Sequence, residues 1–396
     1  MESNLVQNLV NLKSLPETWA VKDFKEVVSD NSGGNKKLAK SNFLKDGDIA
    51  VVDQGKKLIA GFYNDTSLAV KTQPPYVVFG DHTRVFKYVD FPFIMGADGT
   101  KVLQPKKDNC ETKYLYYFFL SINVPNTGYN RHFKYLKELK IPLPSLDQQK
   151  KIAAILDAAD AYRQKTKALI EKYDELTQSL FLNMFGDPVT NPKGWEFVLF
   201  KELIIKIENG WSPVCENFSR ISNDDWAILK LGAVSKRFYD FSENKQLLPE
   251  NKPKIELKVS EGDLLFVRKN TYEMVGASAY VFSSPGNLMI PDTIFRLKYI
   301  ESKVNPIFLW LTINHENYRQ EIQRLASGSA GSMPNISKSR LMNKKIYLPP
   351  VDKQNQFAER VQAIETQKAQ AQASLAQAED LFNSLLQRAF KGELTS

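Results

Sequence analysis

Hydrophobic residues recur at alternating steps of three and four in two segments of the chain, residues 147–185 and 352–391. This spacing predicts two amphipathic helices of about forty residues, each about 60 Å long. Because each helix carries half of a heptad seam, we expect the two helices to pack against each other. The seam positions are Ile152, Leu156, Ala159, Tyr162, Thr166, Leu169, Tyr173, Leu176, Leu180 and Met184 in the first helix, and Phe357, Val361, Ile364, Lys368, Ala371, Leu375, Ala378, Phe382, Leu385 and Ala389 in the second.

Signals for the start and the end of a helix flank both segments. Asp147 and Asp352 follow proline-containing turns and are placed to cap the first helical turn. Gly186 and Gly392 follow the last turn, where glycine is favoured. Lys368 departs from the apolar pattern, and it is expected to set the register or to lie where the helices splay apart.

The remaining sequence has the pattern of mixed α+β domains. Short runs rich in β-branched and aromatic residues alternate with Gly, Asn and Asp turns, which predicts strands at Asp48–Val52, Tyr76–Phe79, Leu264–Val267 and Thr293–Leu297. Tyr114–Ser121 and Pro306–Ile313 are predicted to be helices at corresponding places.

The chain repeats itself, and the repeat divides it into two copies of one arrangement. Trp19 to Val28 aligns with Trp195 to Ile204 at an offset of 176 residues, and Ile141 to Gln149 aligns with Ile346 to Gln354 at an offset of 205. The motif Gly47-Asp48-Ile49 is matched with Gly262-Asp263-Leu264, and Leu180–Phe185 with Leu385–Phe390. The offset grows only within the globular blocks, as expected if loops absorb insertions and the helices do not.

Positive charge is concentrated in the two globular blocks. The chain of 396 residues has a formal net charge of +8. Residues 1–146 hold 20 Lys+Arg against 15 Asp+Glu, and residues 188–345 hold 22 against 17, whereas both helical segments are close to neutral. Two basic blocks indicate a polyanionic partner such as DNA, although lysines spread over a surface would give the same count.

Composition excludes several other classes of protein. No apolar run reaches the ~18 residues of a membrane-spanning helix, and the first residues lack the pattern of a secretory signal. Cys110 and Cys215 cannot form a disulfide framework or a metal site by their spacing, so a reducing cytoplasm is expected.

Catalytic motifs are incomplete in this sequence. Gln73-Pro74-Pro75-Tyr76 resembles the Asp/Asn/Ser-Pro-Pro-Tyr loop of amino-methyltransferases, but Gln replaces the first residue and no glycine-rich turn precedes it. Pro291-Asp292 with Arg296 and Lys298 departs from a nuclease pattern, because Arg296 stands where a metal-binding carboxylate is required. We therefore expect no catalytic residues, no metal and no cofactor in this chain.

Polar and cationic segments near predicted strand ends are the candidates for contact with DNA bases and phosphates. Asn130 and Asn335 occupy the same position in the two copies. The predicted contact residues are His82, Thr83, Arg84, Lys87, Tyr129, Asn130, Arg131, His132 and Lys134 in the first block, and Arg268, Lys269, Asn270, Thr271, Ser329, Ser332, Asn335, Ser337 and Lys338 in the second.

Motifs in both copies resemble the specificity subunit of type I restriction–modification systems, and the resemblance extends over essentially the whole chain. The motifs are Ile141-Pro-Leu-Pro-Ser-Leu-Asp-Gln-Gln-Lys-Lys-Ile-Ala-Ala-Ile-Leu-Asp157, Leu180-Phe-Leu-Asn-Met-Phe-Gly-Asp187, Phe79-Gly-Asp-His-Thr-Arg84, Gly262-Asp-Leu-Leu-Phe-Val-Arg268 and Gly331-Ser-Met-Pro-Asn-Ile-Ser337.

The resemblance implies an α+β fold with two target-recognition domains, separated and joined by two long antiparallel coiled-coil helices in a pseudo-twofold repeat. The domains would be residues 1–143 and 188–348, and the helical spacers residues 144–187 and 349–396. It also implies that each domain reads one half-site of double-stranded DNA. Two modification subunits, which carry S-adenosylmethionine and methylate adenine, and motor-nuclease subunits for restriction would be the protein partners.

Two other functions remain open at the level of sequence. One is a self-contained DNA adenine methyltransferase that uses Gln73–Tyr76. The other is a coiled-coil scaffold that binds DNA without sequence preference, which would show a salt dependence from phosphate contacts alone.

Overall fold

The structure is a computed structural model that describes residues 15–96, 99–106, 109–128, 130–328 and 333–394. The chain forms two compact units. The first contains the residues up to Ala168 and those from Ala371 onward, and the second is Leu169–Gln370. Each long helix therefore contributes its two halves to different units, and the domain boundaries inferred from sequence remain predictions.

The first unit combines short strands with helices of very different lengths. Its strands are β1 (Ala20–Asp23), β2 (Val28–Asp30), β3 (Ile49–Val52), β4 (Gly61–Tyr63), β5 (Tyr76–Gly80), β6 (Phe86–Val89), β7 (Phe93–Met95), β8 (Thr100–Pro105) and β9 (Lys140–Leu143). Its helices are α1 (Phe24–Val27), α2 (Thr112–Ser121), α3 (Phe133–Leu136) and the first part of α4 (Leu146–Phe185), with 3-10 turns at Lys40–Asn42 and Thr66–Leu68.

The second unit has the same kinds of element. Its strands are β10 (Glu196–Leu199), β11 (Ile204–Asn209), β12 (Trp226–Leu229), β13 (Asn244–Gln246), β14 (Leu264–Val267), β15 (Ser278–Tyr280), β16 (Asn287–Met289), β17 (Ile294–Tyr299) and β18 (Lys345–Leu348). Its helices are α5 (Gly232–Ser235), α6 (Pro306–Asn314), α7 (Glu316–Gln323), α8 (Lys338–Met342) and the first part of α9 (Val351–Ala389), with 3-10 turns at Phe200–Glu202 and Ile255–Leu257.

Sheet topology is identical in the two units. A four-stranded antiparallel sheet has the order β2-β8-β5-β6 in the first unit and β11-β17-β14-β15 in the second. A three-stranded sheet with one parallel pair has the order β4-β3-β7 in the first unit and β13-β12-β16 in the second. Each unit also contains a two-stranded antiparallel sheet, which is β1-β9 in the first unit and β10-β18 in the second. The central strands β5 and β14 are completely buried, which explains their continuous apolar sequences.

The topology corrects one part of the sequence repeat. Strand β3, which follows Gly47-Asp48, corresponds to β12, and strand β14, which follows Gly262-Asp263, corresponds to β5. The match between the two Gly-Asp motifs was therefore wrong. Both motifs mark a turn before a buried strand, and such a local signal does not tell which strand follows.

The predicted long helices are confirmed, and within each unit their halves pack in antiparallel directions. In the first unit the Arg163 guanidinium lies 4.2 Å from the centre of the Phe382 ring, and Lys167 pairs with Glu379 at 3.0 Å. In the second unit Lys368 pairs with Asp174, and the rings of Phe181 and Phe357 lie 5.8 Å apart. Lys368 thus occupies the seam as half of an ion pair.

Every position predicted for the seam of α9 is buried or half-buried, whereas three positions predicted for the seam of α4 are exposed. Tyr162, Leu169 and Leu176 are 54%, 43% and 50% exposed. The neighbouring Arg163, Ile170 and Thr177 lie on the packed face instead. The other positions chosen in α4, from Ile152 to Met184, are buried or half-buried.

The N-terminal cap of α4 also differs from the expectation. Ser145 and Gln148 form reciprocal hydrogen bonds, in which the Gln148 N–H donates to Ser145 Oγ at 3.3 Å and the Ser145 N–H donates to Gln148 Oε1 at 3.3 Å. Asp147 therefore lies inside the first turn of α4, and Asp352 likewise lies inside the first turn of α9, where a carboxylate still interacts favourably with the helix dipole.

A buried glutamine ties each long helix to the domain of its unit. In the first unit Gln149 Oε1 accepts the Glu111 N–H at 2.9 Å, and its Nε2 donates to the carbonyls of Asn109 and Pro144. In the second unit Gln354 Oε1 accepts the Asn305 N–H at 2.9 Å, and its Nε2 donates to the carbonyls of Lys303 and Pro349. Glu111 and Asn305 are the N-caps of α2 and α6.

An equivalent glycine follows each long helix and lies against a proline ring. Gly186 follows α4 with a φ of +77° and lies against Pro192, and Gly392 follows α9 with a φ of +80° and lies against Pro16. A Cβ at either glycine would collide with the proline ring. The contact of Gly186 with Pro192 joins residues that are close in sequence. The contact of Gly392 with Pro16 joins residues that are far apart in sequence, and both lie in the first unit.

We predict that Gln354→Leu lowers the free energy of unfolding by on the order of 3 kcal/mol, because it leaves a buried N–H and two carbonyls without partners. Gln356→Leu, an exposed position on the same helix, is the matched control and should change stability by less than about 0.5 kcal/mol. Urea unfolding of both variants measures the difference. Equal stabilities would contradict the role given to Gln354.

The corrected seam makes a second prediction. Leu176→Ser should alter the free energy of unfolding by less than about 0.5 kcal/mol, whereas Phe181→Ala should cost about 3–5 kcal/mol, because only Phe181 is enclosed by the core. Thermal unfolding of the two variants decides between the seams. A large loss for Leu176→Ser would restore the seam inferred from sequence.

Candidate nucleic-acid interface

The predicted contact segments follow topologically equivalent strands in the two units. Residues 81–84 come after β5, and residues 268–271 come after β14. In the first unit a tight turn is formed by the Arg84 N–H donating to the Gly80 carbonyl at 2.7 Å, and Arg84 has a φ of +61°. The turn redirects the chain at the end of the buried strand and leaves Thr83 exposed.

Backbone hydrogen bonds bring the second predicted segment of each unit to the same strand end. The His132 N–H donates to the Asp81 carbonyl at 3.0 Å, and the Ile336 N–H donates to the Arg268 carbonyl at 2.8 Å. Asp81 also holds the start of α3, because its Oδ1 accepts the Phe133 N–H at 2.7 Å. Each unit therefore joins two candidate segments that are about 50–70 residues apart in sequence.

Two predicted contact residues of the first unit face its interior. Lys87 is 5% exposed, and its Nζ donates to the Asp53 carbonyl at 2.7 Å and lies 3.6 Å from Asp53 Oδ1. Burial lowers the pKa of Lys87, and the Asp53 charge opposes that shift. His132 is completely buried with its Nδ1 2.9 Å from the Asp81 carbonyl. Direct contact of these two side chains with DNA is not supported by this structure, since alternation along β6 turns Lys87 inward.

The other candidates of the first unit are exposed or half-exposed. Arg84 Nη1 donates to the Val124 carbonyl at 3.1 Å, so its guanidinium is anchored on one side. His82 is half-exposed, and Asn130, Arg131 and Lys134 are exposed. Tyr129 lies outside the described residues.

In the second unit three predicted residues meet at one aromatic ring. Arg268 Nε donates to Asn335 Oδ1 at 3.1 Å, and the Arg268 guanidinium lies 5.1 Å from the centre of the Phe295 ring. Lys338 Nζ lies 5.6 Å from the same ring and donates to the Ile207 carbonyl at 2.6 Å. Two cations on one ring, of which Arg268 is held by the Asn335 amide and Lys338 by the Ile207 carbonyl, form a positive site of defined geometry.

The remaining candidates of the second unit differ in exposure and in hydrogen-bond partners. Lys269 and Thr271 are exposed, and Asn270 Nδ2 donates to Ser235 Oγ at 2.9 Å. Ser337 caps α8 by accepting the Arg340 N–H, so its hydroxyl has a structural partner. Ser329 and Ser332 lie outside the described residues.

The first unit contains a reciprocal arrangement that sequence analysis missed. Lys101 on β8 and Lys137 after α3 lie 4.9 Å and 5.1 Å from the centre of the Phe133 ring. The ring is on the helix and a cation is on the strand, whereas in the second unit Phe295 is on the strand and Lys338 is on the helix. No sequence pattern could have indicated this exchange, because each pair combines residues of separate elements.

The two incomplete catalytic motifs have structural roles. Gln104 Nε2 donates to the carbonyls of Gln73 and Pro75, and Tyr76 is completely buried, so this segment is a turn that opens β5. Arg296 is buried and pairs with Glu208 at 2.6 Å and Asp263 at 3.2 Å. These contacts do not support a self-contained methyltransferase that uses Gln73–Tyr76.

The described part of the chain contains neither a cluster suited to a metal ion nor a helix suited to a membrane. Residues 15–96, 99–106, 109–128, 130–328 and 333–394 contain no group of three or more His, Cys, Asp or Glu side chains placed to hold a metal ion. Within the same ranges, no helix combines the length and the apolar character that crossing a membrane requires.

Two α+β units of the same topology, joined by long helices and carrying cationic strand ends, define a class of protein with duplicated recognition domains. The family model for the type I restriction modification DNA specificity domain matches residues 16–173 and 192–379. The chain belongs to this family, which confirms the resemblance inferred from sequence.

Individual proteins and a solved structure agree with this assignment. The specificity subunit of the type I restriction enzyme EcoEI from Escherichia coli is 33% identical over 163 residues, which are 41% of this chain and 27% of that protein. The EcoKI specificity subunit, also from Escherichia coli, is 26% identical over 276 residues, or 65% of this chain and 58% of that protein. The chain thus spans about a quarter to somewhat more than half of the length of these relatives.

The fold itself is similar to a crystal structure of the type I restriction–modification S subunit from M. genitalium. The TM-score is 0.60 at 14% sequence identity, and the comparison covers 95% of this chain and 98% of that one. At this identity the similarity shows the fold, and it confirms the α+β architecture with long helices.

Proposed function

We propose that this chain is the DNA-recognition subunit of a type I restriction–modification complex and that each unit reads one half of a bipartite target. The observation that carries the proposal is the pair of backbone hydrogen bonds that joins two polar segments at equivalent strand ends, His132 to Asp81 and Ile336 to Arg268. Donors and cations converging at one edge of a domain suit the grooves and phosphates of DNA.

Differences between the two strand ends support two different half-sites. Asp81, His82 and Thr83 follow β5, whereas Arg268, Lys269 and Asn270 follow β14. Their hydrogen-bonding groups differ in number and in charge, and base edges in the major groove are distinguished by the pattern of donors and acceptors.

Apolar residues left exposed on α4 support docking of modification subunits on the helices. Ile155 and Tyr162 in the first unit are 37% and 54% exposed, and Leu169 and Leu176 in the second unit are 43% and 50% exposed. They recur every seven residues, which places them along one side of the helix. We propose that the modification subunits cover them, bind S-adenosylmethionine and carry out methylation, and that restriction subunits join the complex. This chain contributes recognition rather than catalysis.

Selection from a random duplex library by the chain with its modification subunit tests the proposed function. We expect two constant base blocks separated by a spacer of fixed length and unconstrained sequence. Selection of one contiguous block, or binding that ignores sequence, would contradict the proposal. Methyl transfer from labelled S-adenosylmethionine by this chain alone would favour the methyltransferase alternative instead.

Separate reading by the two units predicts separable effects of single substitutions. Arg268→Ala should weaken binding through the second half-site alone, and Arg84→Ala through the first alone, with each lost contact costing about 1–3 kcal/mol. Binding to targets altered in one half-site at a time measures this. Equal effects of either variant on both half-sites would contradict the division of roles.

The long helices are proposed to set the spacer. Four residues inserted after Ala168 in α4, together with four after Gln370 in α9, leave the contacts inside each unit intact and add about 6 Å to each helix. The selected spacer should change in length or the complex should fail to assemble, while both half-site sequences stay the same. A change in half-site bases would disprove the role of the helices.

A further inference from the structure

The loop that follows β14 in the second unit is held from two sides. On one side Asn270 Nδ2 donates to Ser235 Oγ at 2.9 Å. On the other side α7 supplies two donors, because Gln323 Nε2 donates to the Tyr272 carbonyl at 2.8 Å and Arg319 Nη2 donates to the Glu273 carbonyl at 2.6 Å. Tyr272 remains 52% exposed at the tip of the loop, which therefore projects from a fixed base.

Arg319 is a buried cation without an acidic partner. It is 3% exposed, its Nη1 has no hydrogen-bond partner, and no carboxylate among the described residues lies within the 4.0 Å of an ion pair. Burial, together with the nearby Arg237 charge, lowers the pKa of Arg319 to about 10, so the guanidinium stays charged at neutral pH. An unpaired buried charge is costly, and an external anion would offset that cost.

Arg237 supplies a second positive charge, because the Asn270–Ser235 hydrogen bond joins the loop that Arg319 holds to the residues just before Arg237. The side chain is exposed, and the backbone has a φ of +72°, which residues other than glycine rarely adopt. Trp310 Nε1 donates to the Arg237 carbonyl at 2.9 Å, and the Arg237 N–H donates to the Val234 carbonyl at 2.9 Å. A strained backbone held by its neighbours is typical of a functional position.

Acidic groups near this point are already engaged. Asp240 Oδ2 and Glu243 Oε1 lie 3.8 Å and 3.9 Å from the Nζ of Lys236. Farther along α7, Arg324 is paired with Glu321. Glu273, whose carbonyl accepts from Arg319, and Glu316, one turn earlier on α7, are also close in the chain, but among the described residues neither forms an ion pair with Arg237 or Arg319.

We propose that Arg237 and Arg319 form a phosphate-binding subsite of the second unit, in which Arg237 contacts a DNA phosphodiester. Arg319 is a positioning residue that holds the loop of residues 270–273 and adds positive charge beneath the phosphate. The subsite rests on the proposed function and extends it, because it assigns a backbone contact to residues that carry no base-reading role. It would fix the second unit on the duplex while the strand-end residues read bases.

Salt dependence of DNA binding tests the subsite. The probe is a 40-base-pair duplex of arbitrary sequence, bound by the full chain with its modification subunit over a range of salt concentrations. Loss of one phosphate contact should reduce the slope of log affinity against log salt by about 0.9. We expect this reduction for Arg237→Gln and for Arg319→Met, and no larger reduction for the double variant, because both residues serve one phosphate.

Matched variants separate charge from folding. Arg319→Lys keeps the charge and should restore the slope, whereas Arg324→Ala removes an exposed, ion-paired arginine that follows the same helix and should leave the slope unchanged. Circular dichroism and thermal unfolding check that each variant is folded. Arg237 lies on the surface, so Arg237→Gln is expected to leave the fold unchanged. The bases selected at either half-site should stay the same for Arg237→Gln and Arg324→Ala, whereas Arg319→Met also releases the loop that carries Asn270 and Thr271, so base selection is compared in the first two variants only.

The outcomes distinguish the subsite from the proposed function. Normal wild-type binding with an unchanged slope for Arg237→Gln would overturn the subsite alone. Altered half-site bases in that variant would also overturn it, because they would show base reading instead of phosphate contact. Failure of the wild-type complex to bind any duplex would overturn the proposed function and the subsite together.

Discussion

The architecture of both units depends on one buried amide. Gln149 and Gln354 each join three backbone groups from two segments: the N-cap of a domain helix and the residue two positions before it, and the proline that precedes a long helix. A hydrophobic contact would hold these segments together without fixing their angle. An amide with three geometrically constrained hydrogen bonds fixes where the long helix starts relative to the domain.

This fixed scaffold carries surfaces that have diverged. The strands and their order are the same in the two units, yet the residues at equivalent strand ends differ in charge. The exchange of ring and cation between Lys101 with Phe133 and Phe295 with Lys338 shows that one packing requirement has been met in two ways. Recognition residues can change on such a scaffold because the buried strands below them stay in place.

Much of the fold was predictable from sequence, because the long helices and buried strands have periodic or continuous apolar patterns. In α9 the positions predicted for the seam are all buried or half-buried, and Leu381, the apolar neighbour of Phe382, is exposed. In α4 two apolar or amphipathic residues are often adjacent, as with Leu169 and Ile170, and hydrophobicity alone favoured the wrong member. Packing decides such cases: Thr177 is buried, whereas Leu176 is 50% exposed.

The candidate site was less predictable than the fold. Sequence located the segments at both strand ends, but it could not show that Lys87 and His132 point into the domain. Nor could it show that Arg319 is buried and holds the loop after β14, since these residues come together only through tertiary packing. Local chemistry marks a polar segment, whereas burial and partners depend on the whole unit.

The contact of Gly392 with Pro16 has a consequence for the order in which the two units fold during synthesis on the ribosome. Residues of the first domain are synthesised early, yet Phe382, Leu386 and Phe390 at the far end of the chain belong to its hydrophobic core. The second unit contains only residues between Leu169 and Gln370. The nascent chain can therefore complete its later-made half first, and the half made first waits for the last turns of α9 before its core is closed.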